Sequence, residues 1–533
     1  MDSMRRQKKF YAWGYADEGL TVDEIRPWEA DIVRRYGLSG FEVTPPPTAD
    51  EIALRAPRLG VPAVLQSIVR ADHLTRLEHS YGKAWFDACR MFMRSVPNPP
   101  DVVAFPESEQ DIVRVLDWCE QIGAKVIPYG GGSSWVKGIE PSSTFEKVVT
   151  ISLRNMDKVL EIDAASHAAR IQAGVYGPHI EDQLRATPFT MRHYMQAYRC
   201  STLGGWIATR SAGHYATLYT HIDDFVESTR VVTPAGTLET RRLPGSGAGP
   251  SPDRMFIGSE GILGIITEAW VRLRKKPSFR AATSVRFANF HAGVDAVRGI
   301  SQAGLYPANC RLLEAREALP DAPWDSEDAV LVLAFESADH PVDALMARAL
   351  EICRDCGGVP DAEALESENS HRTGAAGAWR DRFIRAPYYI EHAVARGILS
   401  TTFETSMTWE RFADFHATLT GTAHDAIRHV TGRQGTVTCR LTHVYPDGAC
   451  LYFTLGGILD RRIMLDQFNA ILSTCMTATI EHGGTTTHHH AVGRFHRPFY
   501  DKQRPELFAR ALRGAKRELD PSGMMNPGVL IDP

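Results

Sequence analysis

The sequence predicts an α+β protein built from several units. Three observations carry this expectation. The chain has 533 residues, more than one ordinary core holds. A strand–helix–strand order after residue 99 empties into a glycine loop, and strands alternate with helices again after residue 277. Residues 1–98 form a mixed, helix-leaning N-terminal segment, proline-rich at Pro45-Pro46-Pro47 and without a strong motif. From Ser108 to Ile122 the apolar residues Ile112, Val115, Leu116 and Cys119 recur at helical spacing. Lys125 to Pro128 reads as a short strand, followed by strands at 148–153, 158–162 and 168–173. Residues 226–240 form a hairpin about Pro234-Ala235-Gly236, and the charged run ending at Pro277 closes the 99–277 unit. In the 278–482 unit, Ala281 to Phe287 and Ala329 to Phe335 read as strands, and 290–304, 341–354 and 463–482 as helices. Two more strands lie within 437–457 about the turn Pro446-Asp447-Gly448, and the last stretch, Asp520 to Gly528, is turn-rich.

Composition narrows the function classes. Hydrophobic content of 44% and charged content of 23% are globular values, and a net charge of −5 without a basic stripe argues against nucleic acid. The basic start Arg5, Arg6, Lys8 and Lys9 reads as a solvated terminus. The sequence shows no apolar run long enough for a membrane span, which predicts a soluble chain. Nine scattered cysteines, an odd number, suit reduced thiols in a cytoplasm. Cys353 and Cys356 have redox-motif spacing, but Gly357-Gly358 makes them read as the end of a helix.

Chemistry concentrates in four places. His488, His489 and His490 stand in a row, and histidine exchanges protons near working pH. Neighbouring side chains splay apart, so a metal site is not expected there. Three small-residue loops accompany them. The first is Pro128-Tyr129-Gly130-Gly131-Gly132-Ser133-Ser134. The second is Ser201-Thr202-Leu203-Gly204-Gly205, continuing through Thr209-Arg210-Ser211-Ala212. The third is Glu260-Gly261-Ile262-Leu263-Gly264-Ile265-Ile266. Glycine lets backbone N–H groups approach a phosphate, and three such loops in one α/β unit suit an extended dinucleotide such as FAD. None matches the nicotinamide or NTPase loop pattern.

These stretches resemble the FAD-binding domain of the vanillyl-alcohol oxidase/p-cresol methylhydroxylase superfamily. The resemblance implies a two-subdomain FAD-binding domain at 99–277, an α+β cap (substrate) domain at 278–482, and a C-terminal segment, 483–533, returning to the flavin. It also implies that the named loop residues contact FAD. Some members attach FAD through a histidine of the first loop; that loop has none here, so non-covalent FAD is expected. A homodimer is expected by analogy alone. The closer resemblance is to the alkyldihydroxyacetonephosphate synthase family, through Ala12-Trp13-Gly14-Tyr15, Phe403-Glu404-Thr405-Ser406, Cys439-Arg440, Gly448 to Phe453 and His488 to Gly493. It implies catalytic roles for Tyr452, Arg311 and the histidines 488–490.

Two positions depart from that family. Ile390, in Pro387-Tyr388-Tyr389-Ile390-Glu391, stands where the family has its substrate-binding arginine, and an anionic phosphate needs a guanidinium or its equivalent. Arg380, Arg382 and Arg385 are the candidate replacements. Ala491 stands where the family carries glycine. The expected chemistry is removal of a proton by Tyr452 and a histidine, with flavin N5 opposite, and a cationic histidine or Arg311 lowering the tyrosine toward neutrality. The leading expectation is an FAD-dependent oxidoreductase acting on a small-molecule alcohol, phenol or hydroxy acid, because of Ile390. The alternatives are an ether-lipid transferase of the synthase type, using a covalent adduct at flavin N5 without net redox, and an inactive flavoprotein scaffold.

Overall fold

A computed structural model describes residues 6–318, 326–361 and 383–532. Its first sheet joins β1 (Val69–Arg70), β2 (Val102–Ala104), β3 (Lys125–Tyr129) and β4 (Val148–Ser152) in the order β1-β2-β4-β3. β2, β4 and β3 run parallel, and β4 is buried along its whole length, as a strand covered on both faces must be. The crossover from β2 to β3 is α1 (Glu109–Ile122), started by a Ser108/Asp111 capping box and stopped by Gly123 at φ 66°. Its buried stripe contains Ile112, Val115, Leu116 and Cys119, the residues whose spacing announced it.

A second, antiparallel sheet contains β5 (Val159–Asp163), β6 (Ala168–Gln172), β7 (Val226–Thr233), β8 (Gly236–Glu239) and β9 (Ile265–Arg272), ordered β5-β6-β9-β7-β8. One apolar core joins the two sheets and takes in Met524, Met525 and Val529 from the far end of the chain. Met525 lies parallel beside Val126 of β3, so residues after 483 return to this unit.

The remaining large sheet has seven antiparallel strands: β10 (Phe279–Phe287), β11 (Asn309–Glu314), β12 (Ala329–Ser337), β13 (Val359–Pro360), β14 (Ile398–Thr408), β15 (Thr436–Val444) and β16 (Gly448–Ile458). Their order is β13-β10-β12-β11-β15-β16-β14. Helices α2 (Phe290–Gln302), α3 (Asp343–Asp355), α4 (Tyr389–Arg396), α5 (Phe412–Thr431) and α6 (Met464–Glu481) belong to the same unit. Phe403 and Phe453 stack at 4.7 Å in its core together with Phe415 and Phe468. Strand alternation therefore turns Glu404 and Tyr452 to the opposite face, toward the first unit. Cys353 is buried in the last turn of α3, Gly357 follows at φ 79°, and all nine cysteines are free thiols.

The N-terminal chain corrects one expectation. Lys8 and Lys9 are not part of a solvated terminus. Lys8 Nζ donates to the carbonyl of Gly131 at 2.8 Å and to Tyr176 Oη at 2.7 Å. Lys9 Nζ forms a buried ion pair with Glu391 of α4 at 2.7 Å. The segment is a strap, with consecutive lysines reaching the two units it crosses.

Candidate active site

A cavity lies where the three glycine loops meet the open face of the seven-stranded sheet. Its wall includes Pro128 to Ser134 from the first loop, and Ser201, Thr202, Gly204, Gly205, Thr209, Ser211 and Ala212 from the second. Glu260, Gly261, Gly264, Ile265 and Ile266 come from the third. Two residues expected there are elsewhere. Leu263 is fully buried in the core, and Arg210, at φ 51°, turns away to bond Asp223 through Nε at 2.8 Å.

The loops fit a dinucleotide. Among the described residues, no backbone acceptor faces the N–H groups of Gly130 to Ser134, so consecutive donors are left at the cavity wall. A Cβ on Gly131 would lie 1.9 Å from the carbonyl oxygen of Cys200, so only glycine lets the first two loops close together. This is the donor arrangement a pyrophosphate requires.

The catalytic wall is built by register. Glu404 of β14 lies opposite Tyr452 of β16, and Tyr452 lies opposite Arg440 of β15, so the three share one face. Arg440 pairs with Leu313, which places Arg311, two residues back on β11, on that face as well. A β-bulge between Leu441 and His443 brings His443 opposite Cys450, two residues before Tyr452. Tyr452, Arg311, Arg440, His443, His489 and His490 all line the cavity. His488 does not; it turns to the other side of its loop, where Tyr445 Oη meets its Nε2 at 2.7 Å.

Two carboxylates hold the histidine loop. Glu404 Oε1 accepts the N–H groups of His488, His489 and His490 at 3.1, 2.7 and 2.7 Å, and the hydroxyl of Thr487 at 2.8 Å. Its Oε2 lies 2.5 Å from His489 Nδ1. Burial alone would raise this carboxyl, but its contacts with the histidine loop, His489 foremost, outweigh it and hold Glu404 well below the usual range. At the loop's other end Glu260 accepts from Val492 and Gly493 at 2.8 and 2.7 Å; burial lifts it to about 7 against those two donors. Between the clamps Ala491 is left-handed at φ 72°. That accounts for the glycine expected there, since a Cβ in this region costs about 1 kcal/mol.

The proton-handling groups differ from expectation. Burial pushes Tyr452 up to about 12, with Arg440 and the Thr402 hydrogen bond pulling only part of the way back. The cation against the phenol is Arg440, 4.0 Å over the ring, rather than Arg311. Burial pushes His490 down to about 3 and His488 well below the usual range, so neither is the cationic partner foreseen for the tyrosine. Thr402 donates to Tyr452 Oη at 3.1 Å, leaving the phenol proton directed toward His490 Nε2 at 3.4 Å. Arg440 is itself paired with Glu317 at 2.7 Å. Arg311 lies 5.1 Å over the Phe383 ring, and burial and then Arg440 lower it to about 9.

Glu404, Arg440, His443 and Tyr445 were not foreseen as site residues. A lone charge among the apolar residues, serines and threonines of Ile398 to Thr408 was the available signal for Glu404, because a buried carboxylate needs a dedicated partner. Ile390 is buried in the core of the seven-stranded unit and Arg385 pairs with Glu24 at 2.6 Å; Arg380 and Arg382 lie outside the described residues. Two groups, His443/Cys450/His488/His489 and Glu404/His489/His490, bring metal-type donor atoms within 4.8 Å. Their nitrogens are largely engaged already: His443 meets Thr442 Oγ1 at 3.0 Å and the Gly213 carbonyl at 3.3 Å, and His488 is bonded through both nitrogens. A hydrogen-bonded histidine network is the better description.

Comparison with known proteins agrees with this construction. Residues 100–241 match the FAD binding domain model, and residues 276–530 match that of the FAD linked oxidases, C-terminal domain. The alkyldihydroxyacetonephosphate synthase of Trypanosoma brucei brucei is 29% identical, over 94% of this chain and 86% of its own. A solved alkyldihydroxyacetonephosphate synthase superposes with a TM-score of 0.83 at 23% identity, covering 99% of each chain. p-Cresol methylhydroxylase with substrate bound gives 0.68 at 16% identity, over 87% of this chain and 94% of its own, and speaks for the fold. The chain is an FAD-binding enzyme of the vanillyl-alcohol oxidase/p-cresol methylhydroxylase superfamily, in its alkyldihydroxyacetonephosphate synthase-like branch.

Proposed function

We propose that this enzyme is a transferase of the alkyldihydroxyacetonephosphate synthase type, exchanging the acyl group of an acylated ketone for a fatty alcohol without net oxidation. The observation that carries this reading is that the likeness runs through the whole construction. A superposition over 99% of the chain takes in the N-terminal segment, and that strap is part of the site: Trp13 lines the cavity and Lys8 braces the first glycine loop. This reverses the order of the two readings drawn from Ile390 alone.

Bound FAD supplies an electrophilic ring nitrogen that accepts an electron pair from carbon. The chain's own groups do the rest. Tyr452 and the cavity-facing histidines move a proton to and from the substrate, Glu404 holds those histidines in place, and Arg311 and Arg440 present positive charge to developing negative charge on oxygen. Residues 130–134 carry no nucleophilic histidine or cysteine, which supports non-covalent FAD.

One observation favours the second reading, an FAD-dependent oxidoreductase acting on an alcohol, phenol or hydroxy acid. Ile390 is apolar and buried where the family's phosphate-binding arginine is expected. Within the first reading, the same residue implies a substrate whose phosphate is dispensable. The test is to incubate the yellow protein anaerobically with hexadecanol and acyl-dihydroxyacetone, with and without its phosphate. Ether product without flavin bleaching is expected, with the two ketones within about tenfold in kcat/KM. Bleaching by alcohols, phenols or hydroxy acids with no ether product would decide for the oxidoreductase.

A further inference from the structure

The histidine loop separates two cavities. His489 and His490 face the one described above, whereas His488 lines a second, with His221, Tyr445, Arg210 and Gln503 in its wall. A continuous set of contacts crosses the loop. His221 Nε2 lies 2.5 Å from Tyr445 Oη, and Tyr445 Oη lies 2.7 Å from His488 Nε2. His488 Nδ1 lies 3.1 Å from His489 Nδ1, which is the atom 2.5 Å from Glu404.

Donor counting gives the set a direction. An ionised carboxylate carries no proton to share, so the 2.5 Å approach of Glu404 Oε2 requires a proton on His489 Nδ1. His488 Nδ1 faces the same proton and must offer its lone pair. A neutral His488 then carries its hydrogen on Nε2 and donates to Tyr445 Oη, and Tyr445 donates its own proton to His221 Nε2. Burial favours the neutral rings this needs, holding His488 well below the ordinary range and His221 at about 4. Every link points from the active-site cavity toward the second one.

We propose that His488, Tyr445 and His221 form a proton conduit joining the active-site cavity to the polar cavity behind the histidine loop. This rests on the reading that the Tyr452 wall removes a proton from substrate. A proton taken at the remaining nitrogen of His489, Nε2, makes that ring an imidazolium. Its Nδ1 proton passes to His488 Nδ1, the His488 Nε2 proton to Tyr445 Oη, and the Tyr445 proton to His221 Nε2. His489 ends neutral, Tyr445 and His488 each keep one proton, and His221 carries the charge to the water of the second cavity. No electrons move, and the reverse shifts return a proton later in the cycle and restore the starting tautomers.

Two measurements on the FAD-loaded enzyme test this. Nitrogen NMR of histidine-labelled protein, assigned with His488→Gln, is expected to show a neutral His488 protonated on Nε2. A proton on Nδ1 instead overturns the conduit, as does a stoichiometric metal found by elemental analysis. In the acyl-exchange assay, Tyr445→Phe is expected to retain FAD but slow turnover by about 10²-fold and enlarge the solvent deuterium isotope effect. His221→Gln should act in the same direction, and His488→Ala should recover part of its rate with added imidazole. Wild-type rate and isotope effect in Tyr445→Phe and His221→Gln, with Tyr452→Phe impaired, would sink the conduit alone. If Tyr452→Phe is equally unimpaired, the functional reading falls and takes the conduit with it. If the wild-type enzyme does not turn over these substrates, the His488 tautomer decides.

Discussion

Tyr452 shows how burial and a neighbouring charge settle what one side chain can do. Its phenol is pushed up to about 12, so at neutral pH it is a proton donor at rest, aimed at His490 Nε2. It becomes a base only after His490 or the substrate has taken that proton, with the guanidinium of Arg440 against the ring stabilising the phenolate. Tyr452→Phe therefore keeps the ring packing and the cofactor but removes the transferable proton. Turnover should fall by about 10²- to 10⁴-fold with FAD stoichiometry unchanged, read from the flavin absorbance of the purified variant. Turnover within a few-fold of wild type would exclude the hydroxyl from the chemistry. The tyrosine was legible because strand alternation and a family motif coincide on it. His488 was named with its neighbours, but nothing in three identical letters says which ring faces which cavity.

Among elements, four strands of the seven-stranded unit were legible, whereas β11, β13 and β14 were not, and neither was the register. Ala329 to Phe335 announced itself by unbroken apolarity, and the turn at 446–448 by proline and glycine. The row Glu404, Tyr452, Arg440 joins β14, β16 and β15, and such pairing depends on long-range packing rather than on any local signal. The bulge that redirects His443 is invisible for the same reason. The clamp between β14 and the histidine loop has a measurable signature. Glu404 is held below its unfolded value near 4.5, so the stability it contributes is fully present above that pH and is lost as pH falls further. Glu404→Gln should cost about 3 kcal/mol at pH 7 and flatten the fall of thermal stability below pH 4.5. An acid limb unchanged from wild type would mean that the carboxylate is not the anion the loop requires.

At the scale of the whole molecule, the N-terminal strap and the C-terminal return were the least legible parts, because no local signal in either says where it docks. Both are tied by buried polar contacts: Lys9 to Glu391, and Asn526 Nδ2 to the carbonyls of Glu260 and Gly138 at 2.8 and 3.0 Å. Lys9→Ala leaves Glu391 buried without its cation and should cost about 3–5 kcal/mol, while Lys9→Ala/Glu391→Leu should recover part of it, both read by thermal unfolding of the FAD-loaded protein. Equal losses in the single and double variants would show that the pair does not fasten the strap. The two carboxylates that pin residues 488–493 come from different units, Glu404 from the seven-stranded sheet and Glu260 from the third glycine loop. Glu260 is made 232 residues before Val492 and Glu404 86 residues before His490, so on the ribosome each waits without its N–H partners until the last tenth of the chain emerges. The reactive geometry is therefore an interlock: an incomplete or half-docked chain has the tyrosine and a place for the flavin, but no positioned histidines with which to start the reaction.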